Sequence, residues 1–271
     1  MHRISTPAGP LTVAGEAEIL RSERSVAVVG ARAATGRGVD RARDLAANLA
    51  RAGWVVLSGG AVGIDAAAHR GALEAGGPTA AIVAGGVRTP YPARNLPIFD
   101  CIVARGGAVA SPFGESTAIR RWHFVHRNQV LARLSRAVIV VEAGGRSGSL
   151  YTVAAAREAG ILVGAVPGSP ATDALLADGA ALVESAADLG AALDGRPRRV
   201  AVEAPEGDAA RVLAALDRRT RGVDEIGRRT GLGARQVARG LVALELAGLA
   251  LASSDGYRRA AAADCIAEGG S

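Results

Sequence analysis

Short apolar runs alternate with stretches of helical periodicity between residue 26 and about residue 190. Several of these runs are continuous, which is typical of strands buried on both faces of a parallel sheet. The predicted strands are Val26–Gly30, Trp54–Ser58, Thr79–Ala84, Ala108–Ser111, Ala137–Glu142 and Leu162–Val166. The predicted helices between them include Arg37–Ala52, Ile64–Ala75 and Ser149–Ala159. This order predicts an α/β fold with a doubly wound, Rossmann-like and mostly parallel sheet, which binds ligands at the carboxyl ends of its strands.

The pattern changes after residue 193, where Gly, Pro and Arg replace the apolar periodicity and indicate a linker. Three helical patterns follow, at Ala209–Asp217, Val223–Thr230 and Ala234–Ala247. The turn Thr230–Gly233 suits a helix-turn-helix, and Leu249–Leu251 with Tyr257–Arg259 suits a wing. The predicted domains are an N-terminal lead-in segment (1–25), a Rossmann-like domain (26–193), a linker (194–208), a small C-terminal winged-helix domain (209–260) and a flexible tail (261–271).

The charge balance adds a preference for anionic partners. The chain has 32 basic and 26 acidic residues, a net charge of +6, and every basic side chain among the 32 is arginine. A GC-rich genome accounts for this bias, but each guanidinium is also a planar fork that suits phosphate and stacks on bases. The positive balance is compatible with a polyanionic partner.

Other classes of protein are disfavoured. Cys101 and Cys265 lie far apart, and there is no CxxC motif or Cys/His cluster, so we expect no metal, no cofactor and no disulfide scaffold. There is no signal-peptide pattern, and no apolar run approaches the roughly 20 residues that span a bilayer. We therefore expect a cytoplasmic protein without a membrane partner.

Three glycine-bearing turns follow predicted strands. They are Gly30-Ala31-Arg32 with Gly36 and Gly38, Ser58-Gly59-Gly60-Ala61-Val62-Gly63, and Gly144-Gly145-Arg146-Ser147-Gly148-Ser149. Such turns present backbone N–H groups and a helix N-terminus to an anion, although each alone is equally a tight turn without a ligand. The dinucleotide spacing G-x-G-x-x-G is absent. Three turns at one sheet edge suit a run of phosphates better than a single one.

The segment from Arg120 to Arg136 is the most informative for binding. It has no acidic residue, and it interleaves aromatic rings with basic side chains: Arg120, Arg121, Trp122, His123, Phe124, His126, Arg127, Arg133 and Arg136. Cations that follow a backbone and rings on which bases stack are what single-stranded nucleic acid requires. The alternative is a solvated basic helix that packs Trp122 or Phe124 into the core.

Catalytic candidates are weaker. Asp65 and His69 lie one turn apart on a predicted helix and form either a proton-transfer couple or, as we favour, a structural pair. Glu142, at the end of a strand, is a candidate general base. No nucleophile–base or paired-carboxylate spacing is present, so we expect no enzyme.

Six segments in order resemble the DprA family, also called Smf. They are Val28–Arg32, Ser58–Leu73, Tyr91-Pro92 with Asn95, His123–Asn128, Val141–Ala143 with Ser147–Leu150, and Val166–Gly168. The resemblance covers about residues 11–189 and extends to the predicted winged-helix domain. It implies a homodimer that binds single-stranded DNA, protects incoming DNA in natural transformation and loads the RecA recombinase, with no catalysis.

The resemblance also implies DNA-binding roles for individual residues. Arg32 resembles the family arginine that contacts a DNA phosphate. Arg121 and Phe124 resemble the basic residue and the aromatic ring that contact the strand. Arg127 and Asn128 resemble the family's Arg-Asn pair. The full predicted DNA-binding set is Gly30, Arg32, Ser58, Gly59, Gly63, Arg121, Phe124, Arg127, Asn128, Ser147, Gly148 and Ser149.

This sequence departs from the family at several positions. Ala31 stands where the family usually has a serine, Gln129 where it often has an arginine, and Asp173 where it usually has an asparagine. Many members also have an N-terminal helical domain, whereas here the first core strand is predicted to begin at residue 26.

Two further hypotheses stay open. A nucleotide-binding or nucleotide-hydrolysing enzyme on the same scaffold would use Glu142 or Asp65. Alternatively, Ala234–Ala247 is a recognition helix that reads duplex DNA through Arg235, Gln236 and Arg239, although winged helices also serve as protein-docking or structural modules.

Overall fold

The structure, a computed structural model, describes residues 1–145, 147–198 and 205–260. Arg146, part of the predicted linker and the whole predicted tail with Cys265 lie outside the described residues. The chain divides into two compact units: unit 1 is Met1–Thr172 with Val183–Pro197, and unit 2 is Asp173–Leu182 with the chain from Arg198 onward. The domain boundaries given above stay predictions.

The elements follow the predicted alternation closely. The strands are β1 (His2–Thr6), β2 (Gly9–Gly15), β3 (Ser25–Val29), β4 (Val55–Ser58), β5 (Thr79–Ile82), β6 (Ala108–Ser111), β7 (Ala137–Val140), β8 (Leu162–Ala165), β9 (Ala181–Leu182), β10 (Ala250–Ser253) and β11 (Gly256–Arg259). The helices are α1 (Gly36–Arg51), α2 (Ile64–Glu74), α3 (Leu96–Ala104), α4 (Arg121–Arg133), α5 (Ser149–Glu158), α6 (Pro170–Ala177), α7 (Ala186–Leu193), α8 (Gly207–Ala215), α9 (Val223–Thr230) and α10 (Ala234–Leu246).

The sheet of unit 1 confirms the predicted doubly wound architecture. Its strands lie in the order β1-β2-β6-β5-β4-β3-β7-β8, and every pair from β6 to β8 is parallel. All residues of β3 to β7 are buried, which agrees with their continuous apolar runs. The strand order reverses at β3, so the carboxyl ends of β4, β3 and β7 lie side by side at the position where such sheets bind ligands.

An antiparallel hairpin at the N-terminus was not predicted. Residues 1–25 were expected to be a lead-in segment before the first core strand, but β1 and β2 pair with each other, and β2 pairs with β6. Leu11 and Val13 of β2 are completely buried. No strand was predicted in this segment, and the structure adds two. These two strands carry few apolar residues and include Pro10 and two glycines, which obscured their pattern.

Unit 2 confirms the predicted winged helix. Three helices, α8 to α10, precede the hairpin of β10 and β11, and their shared core includes Val212, Ile226, Leu241 and Leu244. Gly231 ends α9 with a left-handed backbone (φ 68°), which the predicted turn between two helices requires.

Two features were not found among the described residues. No helix there combines the length and apolar character needed to cross a membrane. No group of three or more His, Cys, Asp or Glu side chains is arranged to hold a metal ion in that part of the chain.

Candidate nucleic-acid interface

Three glycine-bearing turns meet at one edge of the sheet, as predicted. They follow β3, β4 and β7, which are neighbours in the sheet. The turn after β3 contacts the other two directly: the Ala31 amide donates to the Glu142 carbonyl (2.7 Å), and the Ile64 amide donates to the Ala31 carbonyl (3.2 Å). Gly63 has a φ of +79°, and a Cβ there would lie 2.3 Å from the Ala31 oxygen, so only glycine allows this approach.

The three turns and α4 enclose a groove of about 680 Å³, called here the main groove. Ten of the twelve predicted DNA-binding residues line it: Gly30, Arg32, Gly59, Arg121, Phe124, Arg127, Asn128, Ser147, Gly148 and Ser149. The four residues on which the binding hypothesis depends, Arg32, Arg121, Phe124 and Arg127, therefore share one surface. Dispersal over opposite faces would have ended that hypothesis.

The other two predicted residues do not line the main groove. The Ser58 side chain is completely buried, and its Oγ donates to the Val28 carbonyl (2.7 Å), so it stabilises the sheet rather than facing a ligand. Gly63 contributes through its backbone, by letting α2 begin directly beneath the turn after β3. The DNA-binding role of Ser58 stays a prediction, and the burial of its side chain within β4 does not support it.

Three side chains form the rim of the main groove: Arg32, Arg121 and Phe124. Both arginines are exposed, and the Phe124 ring is half-buried. The guanidinium carbon of Arg32 lies 5.1 Å from the centroid of the Phe124 ring, which is a cation–π contact. The rim thus combines exposed cations with an aromatic face, the two components that a single strand requires.

Arg127 is buried rather than exposed, with 5% of its surface accessible. Its Nη1 donates to the Gly59 carbonyl and to the Ile82 carbonyl (2.6 Å), and its Nε donates to Asn128 Oδ1 (3.0 Å). Burial lowers the pKa of Arg127 to about 10, against the opposing effect of Asp65, so the guanidinium stays charged at neutral pH. Arg127 therefore joins the turn after β4 to the end of β5.

Asn128 extends these contacts to the third turn, because its Nδ2 donates to the Gly148 carbonyl (3.3 Å). On the other side, Asp65 Oδ2 accepts from the Ala61 amide (3.2 Å). Burial raises the pKa of the Asp65 carboxyl, and the charge of Arg127 is the largest effect that opposes this rise. We call Asp65, His69, Arg127 and Asn128 the buried network.

His69 is structural, as the sequence favoured. Its Nδ1 pairs with the Thr79 hydroxyl (2.8 Å), not with Asp65, and its side chain is completely buried. Burial lowers the pKa of His69 to about 3, so the ring is neutral under physiological conditions. An exposed Asp65–His69 proton-transfer couple is thereby excluded.

The Glu142 carboxylate accepts hydrogen bonds from Thr35, which lies just before α1. Its Oε1 accepts from the Thr35 amide (2.9 Å) and its Oε2 from the Thr35 hydroxyl (2.5 Å), while Thr35 Oγ1 accepts from the Gly38 amide (3.0 Å). A carboxylate at a helix N-terminus is favourable on electrostatic grounds. Glu142 therefore completes a helix cap and is not oriented as a free general base.

The arginine-rich segment does not form one continuous surface. Arg121 and Phe124 at the start of α4 line the main groove, whereas Arg133 and Arg136 at its other end line a separate pocket with Ser25, at the amino end of β3. Trp122 is 56% exposed and packs edge-to-face on Phe113 (5.5 Å), so neither Trp122 nor Phe124 is the core residue that the alternative interpretation expected.

Sequence reasoning missed some aromatic residues near the groove. Tyr151 on α5 lines the main groove and is 60% exposed. Tyr91 is 50% exposed and meets Phe124 edge-on, with 6.2 Å between ring centroids. Tyr151 follows a glycine turn by two residues, and that position was the available signal.

The three residues of α10 that were candidates for reading duplex DNA differ in whether they already have hydrogen-bond partners within unit 2 or are exposed. Gln236 is engaged within unit 2, where its Nε2 donates to Asp208 Oδ2 (3.1 Å) and its Oε1 accepts from the Gly233 amide (3.2 Å). Arg235 and Arg239 are exposed. The choice between DNA contact and protein contact for this helix stays open.

Comparison with known proteins gives a consistent result. Two family models match the chain: DNA recombination-mediator protein A over residues 1–194 and the DprA winged helix domain over residues 196–256. A putative DNA processing protein DprA of Mycobacterium tuberculosis is 41% identical over 264 residues, which is 91% of this chain and 67% of the relative. Protein Smf of Escherichia coli is 34% identical over 273 residues, covering 93% and 71% of the two chains.

Solved structures agree with the fold. DNA processing protein A of Streptococcus pneumoniae superimposes with a TM-score of 0.63 at 37% identity, over 68% of this chain and 66% of that one. DNA processing protein A of Helicobacter pylori, whose structure describes a single-stranded DNA binding mode, gives a TM-score of 0.56 at 24% identity, over 73% and 84% of the chains. This chain spans about two thirds of the Mycobacterium and Streptococcus relatives.

Proposed function

The chain belongs to the DNA recombination-mediator protein A family, and from that premise we propose that it binds single-stranded DNA in the main groove. The observation that carries the proposal is the composition of the rim. Arg32 and Arg121 are exposed cations and Phe124 offers an aromatic face, while Asp65, the one acidic residue among the described residues that line the groove, is buried. The Helicobacter relative, which binds single-stranded DNA, supports the same assignment.

The arginines and the aromatic ring of the rim would contribute differently to DNA binding. Arginines on phosphate position a strand without reading its sequence, and stacking tolerates every base. We therefore expect a strong preference for single strands over duplex and little preference among sequences. The Gly148 amide and the hydroxyls of Ser147 and Ser149 would contribute further phosphate contacts, because Gly148 is exposed at the start of α5 and both serines line the main groove.

The wider role that we propose follows the family. The protein protects incoming DNA during natural transformation, loads the RecA recombinase on the strand and acts as a cytoplasmic homodimer. Support for these finer assignments comes from the membership of the family. Light scattering of the purified protein, and RecA filament formation on strands coated by a single-strand-binding protein, test them separately.

We also propose that the protein acts without catalysis. The two carboxylates on which a nucleotide hydrolase would depend, Asp65 and Glu142, both accept hydrogen bonds from the backbone. Incubation with nucleoside monophosphates should release no free base.

The test of DNA binding uses two arginines of the same helix. Arg121→Ala removes a rim cation, and Arg133→Ala removes an exposed cation from the opposite end of α4. We expect Arg121→Ala to raise the dissociation constant for a labelled single strand about tenfold, because losing one charge-assisted hydrogen bond costs on the order of 1.5 kcal/mol. Fluorescence anisotropy across a salt series measures this.

The control variant decides between specific and general attraction. Arg133→Ala should bind like the wild type, and the wild-type affinity should fall as salt rises. Equal losses in the two variants would mean that α4 attracts DNA only through its total charge. Equal binding of single strand and duplex would contradict the proposal altogether.

A further inference from the structure

A second, smaller cavity adjoins the main groove and shares Phe124 with it. It has a volume of about 230 Å³, and we call it the side pocket. It shares Arg32, Gly59, Ala61, Phe124 and Arg127 with the main groove and adds Val62, Ala84, Tyr91, Pro92 and Arg94. A ligand in the main groove can therefore continue into it past the Phe124 ring.

The walls of the side pocket suit a flat aromatic ligand. Val62, Ala84 and Pro92 provide apolar surface. The Tyr91 ring is half-exposed and stands nearly perpendicular to Phe124, with an interplanar angle of 75°. The volume is below the roughly 300 Å³ at which pockets for drug-sized ligands begin, so the space fits one small ring system rather than two.

The charge of the side pocket is positive. Arg32, Arg94 and Arg127 line it, and no acidic side chain does among the described residues. Arg94 is exposed and has no hydrogen-bond or ion-pair partner within the part of the chain that the structure describes. Its guanidinium is thus available for an anion at the mouth of the pocket.

The pocket is formed before any ligand arrives. Asn95 is buried, and its Nδ2 donates to the carbonyls of Gly60 (2.9 Å) and Ala61 (3.0 Å). These bonds fix the segment that carries Tyr91 and Arg94 to the turn after β4. A preformed site avoids the cost of ordering a loop when the ligand binds.

We propose that the side pocket holds one nucleobase of the bound strand. The base stacks on Tyr91, the neighbouring base lies against Phe124 in the main groove, and Arg94 pairs with the phosphate that enters the pocket. This inference rests on the proposed function and adds two residues, Tyr91 and Arg94, to the twelve predicted from the sequence. The strand then makes a turn around the Phe124 ring.

The experiment removes bases one at a time. A thymidine oligonucleotide of about six nucleotides, near the lower end of known site sizes, is prepared with a single abasic position at each place in turn. Anisotropy gives the affinity of each for the wild type, Tyr91→Ala, Tyr91→Phe, Arg94→Ala and Arg121→Ala. Circular dichroism of each variant checks its fold.

We expect the wild type to be sensitive to base removal at two places. Tyr91→Ala should abolish the sensitivity at one of them and weaken the intact strand about tenfold, whereas Tyr91→Phe keeps the ring and behaves like the wild type. Arg94→Ala should retain both sensitive places and reduce the salt slope by about 0.7, which is one phosphate contact.

The variants separate this inference from the proposed function. If Arg121→Ala weakens binding while Tyr91→Ala and Arg94→Ala reproduce the wild-type pattern, the side pocket holds no base and the main groove stands. If Tyr91→Phe is as weak as Tyr91→Ala, the ring is not stacking and the inference is also wrong. If the wild type binds no single strand, both proposals fail.

Discussion

Arg127 of the buried network lines the same groove as the two arginines of the rim, yet the arginines differ in what they contact. Arg127 in the network is 5% exposed and donates to carbonyls of two neighbouring segments. Arg32 and Arg121 on the rim are exposed, and Arg32 lies over an aromatic ring. The difference shows that an arginine that lines the candidate groove can also hold the segments of the groove together. Substitutions in the network should therefore change stability, and substitutions on the rim should change affinity.

The largest effect is expected for Arg127→Ala. The free energy of unfolding should fall by about 3 kcal/mol, because the variant leaves the buried Gly59 and Ile82 carbonyls without a donor and removes the charge that opposes the effect of burial on Asp65. Urea denaturation measures the loss. Arg121→Ala, on the same helix, should stay within about 0.5 kcal/mol of the wild type. A stable Arg127→Ala variant that fails to bind DNA would instead make Arg127 a direct ligand contact.

The second effect concerns pH. The unfolded chain binds a proton on His69 near pH 6.5, whereas the folded chain resists protonation down to a pKa of about 3. Stability is therefore lost as pH falls through this window, and His69 should account for about 2 kcal/mol between pH 7 and pH 5.

Denaturation of His69→Gln at both pH values checks this expectation. The variant should lose less stability on acidification than the wild type. His126→Gln, which replaces an exposed histidine of α4, is the matched control and should follow the wild type. Parallel behaviour of all three proteins would show that His69 is protonated without cost.

The smallest effect is expected for Phe124→Ala on the rim. It should weaken single-strand binding by about 1 kcal/mol, the lower end of the stacking range, because a base must first displace the Arg32 guanidinium from the ring. Anisotropy measures the affinity, and thermal unfolding measures the stability. A large loss of stability with no separate loss of affinity would move Phe124 from the rim to the core.

Much of the fold and the position of the site could be predicted from the sequence. Continuous apolar runs identified the buried parallel strands, and the βα order placed their glycine turns at one sheet edge. The direction in which each side chain points was harder to predict from the sequence. His123, Arg127, Val130 and Leu131 are all buried on α4 and recur at intervals of three and four residues, so Arg127 occupies a core-facing position. Because Arg127 is charged, it was assigned to the exposed face, although its spacing from the apolar residues of α4 predicts burial.

The other two differences from the predictions, in the arginine-rich segment and the N-terminal hairpin, depend on three-dimensional structure that local sequence patterns do not show. Arg121 and Arg133 are twelve residues apart, and a helix rises about 1.5 Å per residue, so they lie at opposite ends of α4. Composition alone treats them as one basic segment. The hairpin of β1 and β2 escaped prediction because its pairing with β6 depends on residues about 100 positions away.

The position of Arg32 over Phe124 also affects how a strand would leave. In the free protein the ring face is already covered by the guanidinium, so a base that stacks there exchanges one contact for another. When that base departs, Arg32 can return and cover the ring again, which lowers the barrier to dissociation of a single nucleotide. A strand held through such replaceable contacts could be released stepwise from one end, one nucleotide at a time.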